Sequence, residues 1–386
     1  MRHWFLELGG DLAEMVGPCT MYTSLDSDRQ IGDLRVLAAP PYRKDSDLRR
    51  LWSWLRYFVG AFWLTWRTSP RAVLFIVAQP PYLPILGYVR NILFGQEYVV
   101  WVDDVYPDVL VRHGRLSEKN LIVRVWGWLN RLMLRRAARV FTLGPCMAEV
   151  LGQYMPNDSA ANDDERVLIV PTWVDSTAIR PLPKEENPFA RQHGQVDKLT
   201  VLYSGNLGLS HDLGTMVEAA RRLQDQQDIH FMIIGAGSQW ADLEKAAQEL
   251  DNLTLLPYQP EEMLPYSLTT GDVAVVSLDR KFEGISMPSK TYYAMAAGAA
   301  VLGLSHRPSD LQMVIEQHEC GVNVEPGDGD GFVEAVMRFR SETGFLDVCR
   351  ERSRRAAEMI YSRQVNVRNV MGALEDFLPS QAKVQD

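Results

Sequence analysis

The sequence predicts an α/β protein of two domains, each built around a parallel β-sheet. Apolar, β-branched runs alternate with helical patterns along the chain, as expected for strands joined by crossover helices. The 386 residues exceed the roughly 250–300 at which single hydrophobic cores usually stop growing, so two cores are expected. Residues 180–198, rich in proline and charge, separate two series of apolar runs and mark the hinge.

The first series predicts five strands and the second predicts six. The predicted domains are 1–182, onto which a helix at 362–378 packs back, and 199–361, with a linker at 183–198. Ligands of open parallel sheets bind outside the carboxyl ends of the strands, so we expect the site in a cleft between two facing sheets. The predicted strands are 19–24, 34–40, 72–77, 98–102, 139–143, 199–205, 230–235, 253–258, 272–278, 299–305 and 321–327.

Composition and charge exclude several classes of protein. The chain has 49 Asp and Glu against 40 Lys and Arg, which argues against a protein that coats nucleic acid with a basic face. Its four cysteines lie far apart without a C-x-x-C pair, which indicates buried thiols in a reducing compartment rather than a metal site. The start, MRHWFLELGG, lacks the apolar core of a signal peptide, and no apolar run is long enough to span a bilayer, so a cytoplasmic location is expected.

The stretch EGISMPSKTYYAMAAG, 283–298, carries the strongest signal for a ligand site. Pro288 is well placed to open a helix that ends near Gly298. The amide groups at such a helix start form an anion site that suits a diphosphate. An ordinary buried helix with an alanine-rich face is the alternative, and Glu283 and Lys290 beside the loop favour the anion site.

This carboxyl half resembles family 4 of the retaining glycosyltransferases, which have the GT-B fold of two Rossmann-like domains facing across a cleft. In that family a pair of glutamates brackets this loop and helix, and the first corresponds to Glu283, implied to be catalytic and to contact the donor sugar. The second glutamate is absent, since the two ways of counting give Thr291 and Tyr293. The resemblance implies donor contacts from Ser286, Met287, Pro288, Ser289 and Tyr293.

The P-S-K form of the loop is similar to a subgroup that assembles O-antigen, colanic acid and related exopolysaccharides, including fucosamine transferases. This similarity implies that Lys290 is catalytic and lies beside the donor phosphates, where a compact cation stabilises charge on the leaving group. A solvated lysine at the start of a helix is the alternative.

A glycine loop, SGNLGLSHDL, follows the first predicted strand of the carboxyl domain, and glycine lets a backbone approach a ligand closely. Most members of the family carry Arg and then Lys here, whereas this chain has Asn206 and His211, and the subgroup shares the G-N-x-G pattern. The resemblance implies donor contacts from Gly205, Asn206, Gly208 and His211. A role limited to capping the helix is the alternative for His211 and the preferred interpretation for Asp212.

The run IIGAGSQWADLEKAA matches the strand, glycine pair and helix that lie under the nucleotide in this family, so Gly235 and Gly237 are donor-binding candidates. Because it lacks the third glycine of G-x-G-x-x-G, a dinucleotide oxidoreductase is disfavoured. Tyr258 stands where members of the family hold the base, although a surface turn explains its P-Y-Q-P context equally well.

In the amino half, VWVDDVYPDVLVRHGRL resembles the D-x-Y/W-P-[DE] segment of the same subgroup. Asp103 stands where many family members carry a cleft histidine and is predicted to be catalytic, and Asp104 and Tyr106 are predicted to contact the acceptor. A cap on the following turn is the alternative for Asp104 and the preferred interpretation for Asp108.

Two further expectations concern an aromatic, arginine-rich helix and the start of the chain. Residues 49–71 mix Arg with Trp, Tyr and Phe on a predicted helix, which suits the lipid headgroup layer, while packing on the sheet is the alternative. The start of the chain aligns with the first helix and second strand of the family, so its first strand and Gly-rich acceptor loop are expected to be missing and the sheet edge altered.

The resemblance implies transfer of a sugar from a nucleotide sugar, UDP-linked by family frequency, to a polyprenyl-diphosphate-linked sugar or another saccharide at the inner face of the plasma membrane. The alternatives are a nucleotide-sugar epimerase of GT-B architecture and a catalytically inactive scaffold. Neither a cofactor nor a metal is expected. Three D-x-D triplets in polar loops are interpreted as solvated turns: Asp26/Asp28, Asp45/Asp47 and Asp328/Asp330.

Overall fold

The computed structural model describes residues 4–24, 27–42, 46–155, 166–208 and 211–378. The chain divides into two compact units, of which unit 1 is Met1–Pro171 with Asn366–Asp386 and unit 2 is Thr172–Val365. Each unit contains parallel strands joined by helices, as the alternation of apolar runs predicts.

The described part of unit 1 holds seven strands: β1 (Cys19–Thr23), β2 (Arg29–Ile31), β3 (Leu34–Ala38), β4 (Leu74–Val77), β5 (Tyr98–Trp101), β6 (Arg139–Thr142) and β7 (Val167–Ile169). The sequence predicted one parallel sheet here, but the strands form two, in the orders β4-β5-β6-β7 and β1-β3-β2. Strand β2 was not predicted and runs antiparallel to β3, because Gly32, with φ 52°, closes a tight hairpin between them.

The helices of unit 1 follow local start and stop signals. At the start of the second helix the hydroxyl of Ser46 accepts the N–H of Arg49, and in the third helix Pro84 begins the helix and Gly95, with φ 65°, ends it. The helices are α1 (Trp4–Val16), α2 (Asp47–Arg67), α3 (Pro84–Phe94), α4 (Asp108–Arg112), α5 (Leu121–Arg136) and α6 (Pro145–Gly152).

Unit 2 is built on one six-stranded parallel sheet, which contains all six strands that the sequence predicts. The strands are β8 (Leu199–Asn206), β9 (Ile229–Ala236), β10 (Leu253–Leu256), β11 (Val273–Ser277), β12 (Ala300–Leu304) and β13 (Gly321–Val324). Their order is β10-β9-β8-β11-β12-β13. From β8 the chain adds β9 and β10 on one side, and it then returns to the other side of β8 to add β11, β12 and β13. The switch point therefore lies between β8 and β11.

Helices cover both faces of this sheet. The helix that was predicted to begin at Pro288 begins two residues later, at Lys290. Pro288 lies in the turn before this helix, where its carbonyl accepts the N–H of Thr291. The helices are α7 (Pro188–Gln192), α8 (Gly214–Arg222), α9 (Trp240–Glu249), α10 (Leu264–Thr269), α11 (Lys290–Ala296), α12 (Asp310–His318), α13 (Gly329–Ser341) and α14 (Phe345–Met359). Helix α15 (Arg363–Leu374) follows, and most of it, 366–374, belongs to unit 1.

The segment predicted as a linker, 183–198, is part of unit 2. Phe189 and Ala190 of α7 are buried, and the amide of buried Asn187 donates to the Tyr266 carbonyl at 2.9 Å. The ammonium of Lys184 pairs with the carboxylate of Asp272. These contacts hold the segment on the core, which its proline and charge content does not reveal.

Residues 172–182, predicted to belong to the amino-terminal domain, also group with unit 2. The guanidinium of Arg354 in α14 donates to the carbonyls of Ser176 (2.8 Å) and Ile179 (2.8 Å), and also to that of Ala296 (2.6 Å). The division between the units therefore falls after Pro171. Among the described residues, no helix is both long enough and apolar enough to cross a membrane.

Candidate functional site

The carboxyl ends of β8 and β11 bring together several of the predicted donor-site residues within unit 2. In doubly wound sheets the loops at a topological switch point separate and leave a crevice for a ligand. Here the loop after β8 carries Gly208 and His211, and the segment after β11 leads through Glu283 to Lys290. The predicted donor site thus lies where the topology favours a ligand.

Lys290, the first residue of α11, is half-buried and faces a neutral partner. Its ammonium donates to the hydroxyl of Tyr203 at 2.7 Å and lies 4.2 Å from the centre of the Tyr203 ring. Tyr203 is fully buried, and its hydroxyl donates to the Asn206 carbonyl at 2.7 Å. Burial lowers the pKa of Lys290 to about 7, because no opposite charge compensates for the loss of water.

Gly205 makes room for this ammonium group. Its φ of 152° lies in a region that side chains disfavour, and a Cβ here would stand 3.2 Å from Nζ of Lys290. Asn206, the last residue of β8, is exposed. The glycine at this position therefore leaves the lysine accessible from the strand end.

His211 is held by the neighbouring strand. Its Nδ1 lies 3.1 Å from the carbonyl oxygen of Ser277, which can only accept, so the neutral ring carries its proton on Nδ1. Burial, and then the charge of Lys290, lower the pKa of His211 to about 4. At neutral pH its Nε2 is therefore a hydrogen-bond acceptor, and it donates to a phosphate only when a bound anion favours protonation.

Asp212 takes the structural role preferred for it. Its carboxylate accepts the N–H of Thr215 at 3.1 Å in the first turn of α8, and the N–H of Gly327 at 2.8 Å. The amide of Asp212 donates to the hydroxyl of Ser277 at 2.9 Å. These bonds fix the loop that carries His211.

Glu283 is half-buried at the end of a short 3-10 helix, Arg280–Phe282. Its Oε1 accepts the backbone N–H of His306 at 2.9 Å, and the ring of His306 lies 3.3 Å from Oε2 of Glu325. The carboxylate is thus anchored to the loop after β12.

The loop before α11 contains the other predicted donor contacts. Met287 is buried, whereas Ser286, Pro288, Ser289 and, in α11, Tyr293 are half-buried. Thr291, one of the two positions for the absent second glutamate, is fully buried and its hydroxyl donates to the Pro288 carbonyl at 2.8 Å. The Thr291 side chain therefore stabilises the loop before α11. Of the two positions, Tyr293 is the more accessible.

Gly235 and Gly237 have a packing role that is independent of any ligand. A Cβ at Gly235 would lie 1.9 Å from the carbonyl oxygen of Gly205, and one at Gly237 would lie 2.4 Å from the carbonyl of Leu207. The end of β9 and the residue after it can therefore approach the end of β8 and Leu207 this closely only with glycine at both positions. Tyr258, two residues after β10, is 56% exposed and free to stack on a flat ring.

A second group of predicted residues lies in unit 1, directly after β5. Oδ1 of Asp103 accepts the indole N–H of Trp101 at 2.7 Å, and Oδ2 accepts the amide of Gln79 at 3.3 Å. Burial, and then the charge of Asp104, raise the pKa of Asp103 to about 7. Burial raises the pKa of Asp104 to about 6, so both carboxyl groups titrate close to neutral pH.

Asp104 and Tyr106 line a small, partly open pocket in unit 1, whose other walls are mostly apolar. The Tyr106 carbonyl accepts the amide of Asn130 at 2.6 Å, which fixes the backbone of this segment. Asp108 instead accepts the hydroxyl of Tyr154 at 2.5 Å and the amide of Gln153 at 3.0 Å, so it ties this segment to the end of α6, while among the described residues no side chain caps the start of α4. Asp104 and Tyr106 therefore lie beside the same small pocket.

The described side chains of the D-x-D triplets contact other groups of the protein. Asp28 accepts the N–H of Ala38 at 2.5 Å, Asp328 accepts that of Gly331 at 2.8 Å, and Asp330 pairs with Arg222 at 2.5 Å. Asp26 and Asp45 lie outside the described residues, as does the side chain of Asp47. Within the described part of the chain, no group of three His, Cys, Asp or Glu side chains could hold a metal ion.

Sequence reasoning missed three residues that position the site. Tyr203 bonds to Lys290, Ser277 holds the loop of His211, and the Gln239 amide donates to the carbonyls of Gly208 (2.6 Å) and His211 (2.9 Å). Tyr203 precedes Gly205 by two residues, so strand alternation places both on one face of β8. The sequence carries no comparable signal for Ser277 or Gln239.

Residues 198–342 match the family described as Glycosyl transferases group 1. The chain is similar to WbjE of Pseudomonas aeruginosa, assigned as a glycosyltransferase, with 25% identity over 248 residues, 64% of this chain and 59% of that protein. It is also similar to WcaI of Escherichia coli K12, assigned as a colanic acid biosynthesis glycosyl transferase, with 30% identity over 179 residues, 45% and 44% of the two chains. The matched region spans about half the length of these relatives.

Solved structures share the fold across nearly the whole chain. Sucrose-phosphate synthase of Thermosynechococcus elongatus superposes with a TM-score of 0.71 at 17% identity, covering 97% of this chain and 92% of that one. HepE of Anabaena in complex with UDP-glucose superposes with a TM-score of 0.66 at 12% identity, covering 96% and 95%. The predicted GT-B fold and the predicted resemblance are both confirmed.

Proposed function

We propose, from the premise that residues 198–342 form a group 1 glycosyltransferase domain, that this protein transfers a sugar with retention from a nucleotide sugar to a saccharide acceptor. The observation that carries the proposal is the half-buried ammonium of Lys290 at the switch point. Its partner is the neutral hydroxyl of Tyr203, and among the described residues no carboxylate forms an ion pair with it. Binding of an anion strongly stabilises the charged form of such a partly desolvated lysine. The diphosphate of a nucleotide-sugar donor is an anion of this kind.

The similarities support a donor and an acceptor class. HepE, which shares the fold, binds UDP-glucose, and this supports UDP as the carrier. WcaI is assigned to colanic acid biosynthesis, which supports a role in cell-surface polysaccharide assembly with a polyprenyl-diphosphate-linked sugar as the acceptor. Such an acceptor is held in the bilayer, so we place the reaction at the inner face of the plasma membrane.

The proposed chemistry uses charge stabilisation rather than a covalent intermediate. The bond between the sugar and the donor phosphate breaks, and the acceptor oxygen bonds to the same carbon from the face that the diphosphate leaves. The acceptor proton passes to the departing phosphate. Lys290 neutralises the charge that develops on the diphosphate, His211 adds a second donor once protonated, and Glu283 orients the sugar hydroxyls.

Asp103, Asp104 and Tyr106 have the proposed role of binding the acceptor. Asp103 is fixed by Trp101 and Gln79, so its carboxyl group is held in one orientation. The raised pKa values of Asp103 and Asp104 let these groups both accept and donate hydrogen bonds to sugar hydroxyls near neutral pH.

We further propose that transfer needs no divalent cation, since fixed cationic and amide groups take the role that a metal ion has elsewhere. Turnover should therefore be unchanged when EDTA removes divalent ions, and should not rise when magnesium or manganese is restored. Release of the nucleoside diphosphate is the measurement. A loss of rate on chelation that manganese reverses would contradict this part of the proposal.

The donor site is tested by calorimetric titration with UDP-glucose, GDP-mannose and dTDP-glucose. At pH 8 Lys290, with a pKa of about 7, is mostly neutral, so binding of the diphosphate should draw about one proton from the buffer. The binding enthalpy should therefore vary with the ionisation enthalpy of the buffer, and affinity should fall about tenfold or more from pH 7 to pH 9. Nucleotide sugars suit the test because their diphosphate does not titrate in this range.

The control variants are Lys290→Ala, which should reduce the uptake by about one proton, and Lys281→Ala, which changes an exposed lysine of the neighbouring 3-10 helix and should preserve the uptake. If none of the three nucleotide sugars binds, the transferase proposal fails and the inactive scaffold takes its place. If one binds without proton uptake, the role of Lys290 is wrong.

A further inference from the structure

The segment that contains α2 to α5 differs in charge from the rest of the protein. Residues 47–136 include thirteen Lys and Arg and six Asp and Glu, whereas the whole chain has 40 and 49. In α2 the one acidic residue is the first, Asp47, and α5 has none. This segment therefore places a basic surface on an acidic protein.

The outward face of α2 is apolar. Trp52 and Trp63 are 62% and 57% exposed, and they belong to a set of large hydrophobic side chains that recur every three or four residues. At about 100° per residue this set forms one stripe along the helix, and the buried Ser53 and Ala61 lie on the opposite side. The stripe consists of Leu48, Leu51, Trp52, Leu55, Val59, Trp63 and Trp66.

Three arginines border this stripe. Arg49, Arg56 and Arg67 are exposed and are separated by seven and eleven residues, spacings that bring a helical residue back to nearly the same direction. They therefore form a line along one edge of the stripe. Long arginine side chains in such a position reach phosphate groups while neighbouring tryptophans enter an apolar layer.

Helix α5 repeats this arrangement. Leu121 is 72% exposed and Trp128 is 55% exposed, and Ile122 and Val125 on the same side are also exposed. The buried Asn130 and Leu134 of α5 lie on the opposite face. Exposed arginines again flank the apolar face, at positions 124, 131 and 135.

The two helices belong to one layer, because both pack on α3. Tyr82, just before α3, contacts Phe58 of α2 with ring centres 5.5 Å apart, and Phe94 at the end of α3 contacts Trp66 at 5.9 Å. On the other side α3 packs against α5, where the side chain of Arg136 donates to that of Asn91 at 3.0 Å. The outward faces of α2 and α5 thus belong to the same side of unit 1.

We propose that this side of unit 1 binds an anionic lipid bilayer. The docking surface is defined as the stripe of α2, the exposed residues of α5, the exposed end of α3 (residues 92–94) and the flanking arginines. Both helices lie parallel to the membrane plane, with tryptophan and leucine in the headgroup layer and arginine on lipid phosphates. The inference rests on exposure and charge alone and does not depend on the proposed transferase activity.

Charge favours lipid over a second copy of the chain as the occupant. Pairing two such surfaces would bring two sets of arginines together with almost no carboxylates between them, and like charges oppose association. An anionic membrane offers both an apolar layer and a dense layer of phosphates, which complements the surface.

The test is flotation of the full chain with phosphatidylcholine vesicles, with or without phosphatidylglycerol. The wild-type chain should float with the anionic vesicles and much less with the neutral ones. Replacement of three arginines in Arg49→Gln/Arg56→Gln/Arg67→Gln should lower the bound fraction about tenfold or more, and Trp52→Ser/Trp63→Ser should do the same. The matched control Arg191→Gln/Arg221→Gln/Arg352→Gln changes three exposed arginines of unit 2 and should bind as the wild type does.

Circular dichroism of each variant verifies that it is folded, and these exposed positions are expected to tolerate substitution. Equal binding by the α2 variants and the control, or no binding to anionic vesicles, would overturn the proposal. A wild-type dimer in sedimentation equilibrium that Trp52→Ser/Trp63→Ser dissociates would assign the surface to a second copy instead. Because flotation needs no nucleotide, its outcome is independent of the donor-site titration.

Discussion

Replacing Lys290 with alanine is expected to lower turnover about 10²- to 10³-fold, the usual cost of removing one group that stabilises developing charge. The physical reason is the position of its ammonium group, which lies beside Gly205 at the switch point and is half-buried, so that an approaching diphosphate meets it in a poorly screened environment. Turnover is measured as release of nucleoside diphosphate from the donor that calorimetry identifies.

The same change should have little effect on folding. The folded chain holds this amine at a lower pKa than the unfolded chain does, so its charged form costs stability that alanine does not incur. The midpoint of thermal unfolding should therefore stay near that of the wild type. Lys281→Ala, on an exposed lysine nearby, should leave both rate and midpoint unchanged. A Lys290→Ala enzyme with the wild-type rate would remove this residue from the mechanism.

Replacing Lys184 with alanine should lower the unfolding free energy of unit 2 by about 3 kcal/mol, because it leaves a buried carboxylate without its main counter-charge. The side chains of Lys184 and Asp272 are both only 11% exposed, and the ammonium also donates to the hydroxyl of Thr200 at 2.9 Å. The N–H of Thr200 still donates to Asp272, at 2.8 Å, which keeps the cost at the lower end of the range for buried pairs.

Urea denaturation followed by circular dichroism measures this loss. The matched control is Arg221→Ala, which breaks the exposed pair of Arg221 with Glu249 and should cost about 1 kcal/mol or less. The double change Lys184→Met/Asp272→Asn removes both charges and should recover part of the stability. Equal effects of Lys184→Ala and Arg221→Ala would show that the Lys184 pair is no stronger than a surface pair.

The linker shows where composition misleads. Residues 183–198 have the proline and charge content of a hinge, yet they include Asn187 and Phe189, which are buried against unit 2. A lysine paired with a carboxylate 88 positions later in the chain looks, in sequence, the same as a solvated lysine. Composition indicates only the average burial of such residues. The burial of an individual residue depends on its partner in the tertiary structure.

The glycines of the donor loops illustrate a different limit. The sequence indicates that Gly205, Gly235 and Gly237 need close backbone approach, but it does not tell what approaches. The structure shows that the carboxyl ends of β8 and β9 approach each other closely at Gly235 and Gly237, and that the ammonium of Lys290 approaches Gly205. The same residue type thus serves packing at two positions and access to a cation at the third.

The sequence by itself determined the α/β class, the six strands of unit 2, the resemblance to glycosyltransferases and the candidate loop around Lys290, because periodicity and short motifs are local properties of the chain. Only the tertiary structure decided that Tyr203 faces Lys290, that residues 183–198 belong to unit 2, that the strands of unit 1 form two sheets and that the apolar stripe of α2 faces outward. Each of these depends on contacts between residues far apart in sequence, and the energy of such contacts is set by distance and burial rather than by residue order.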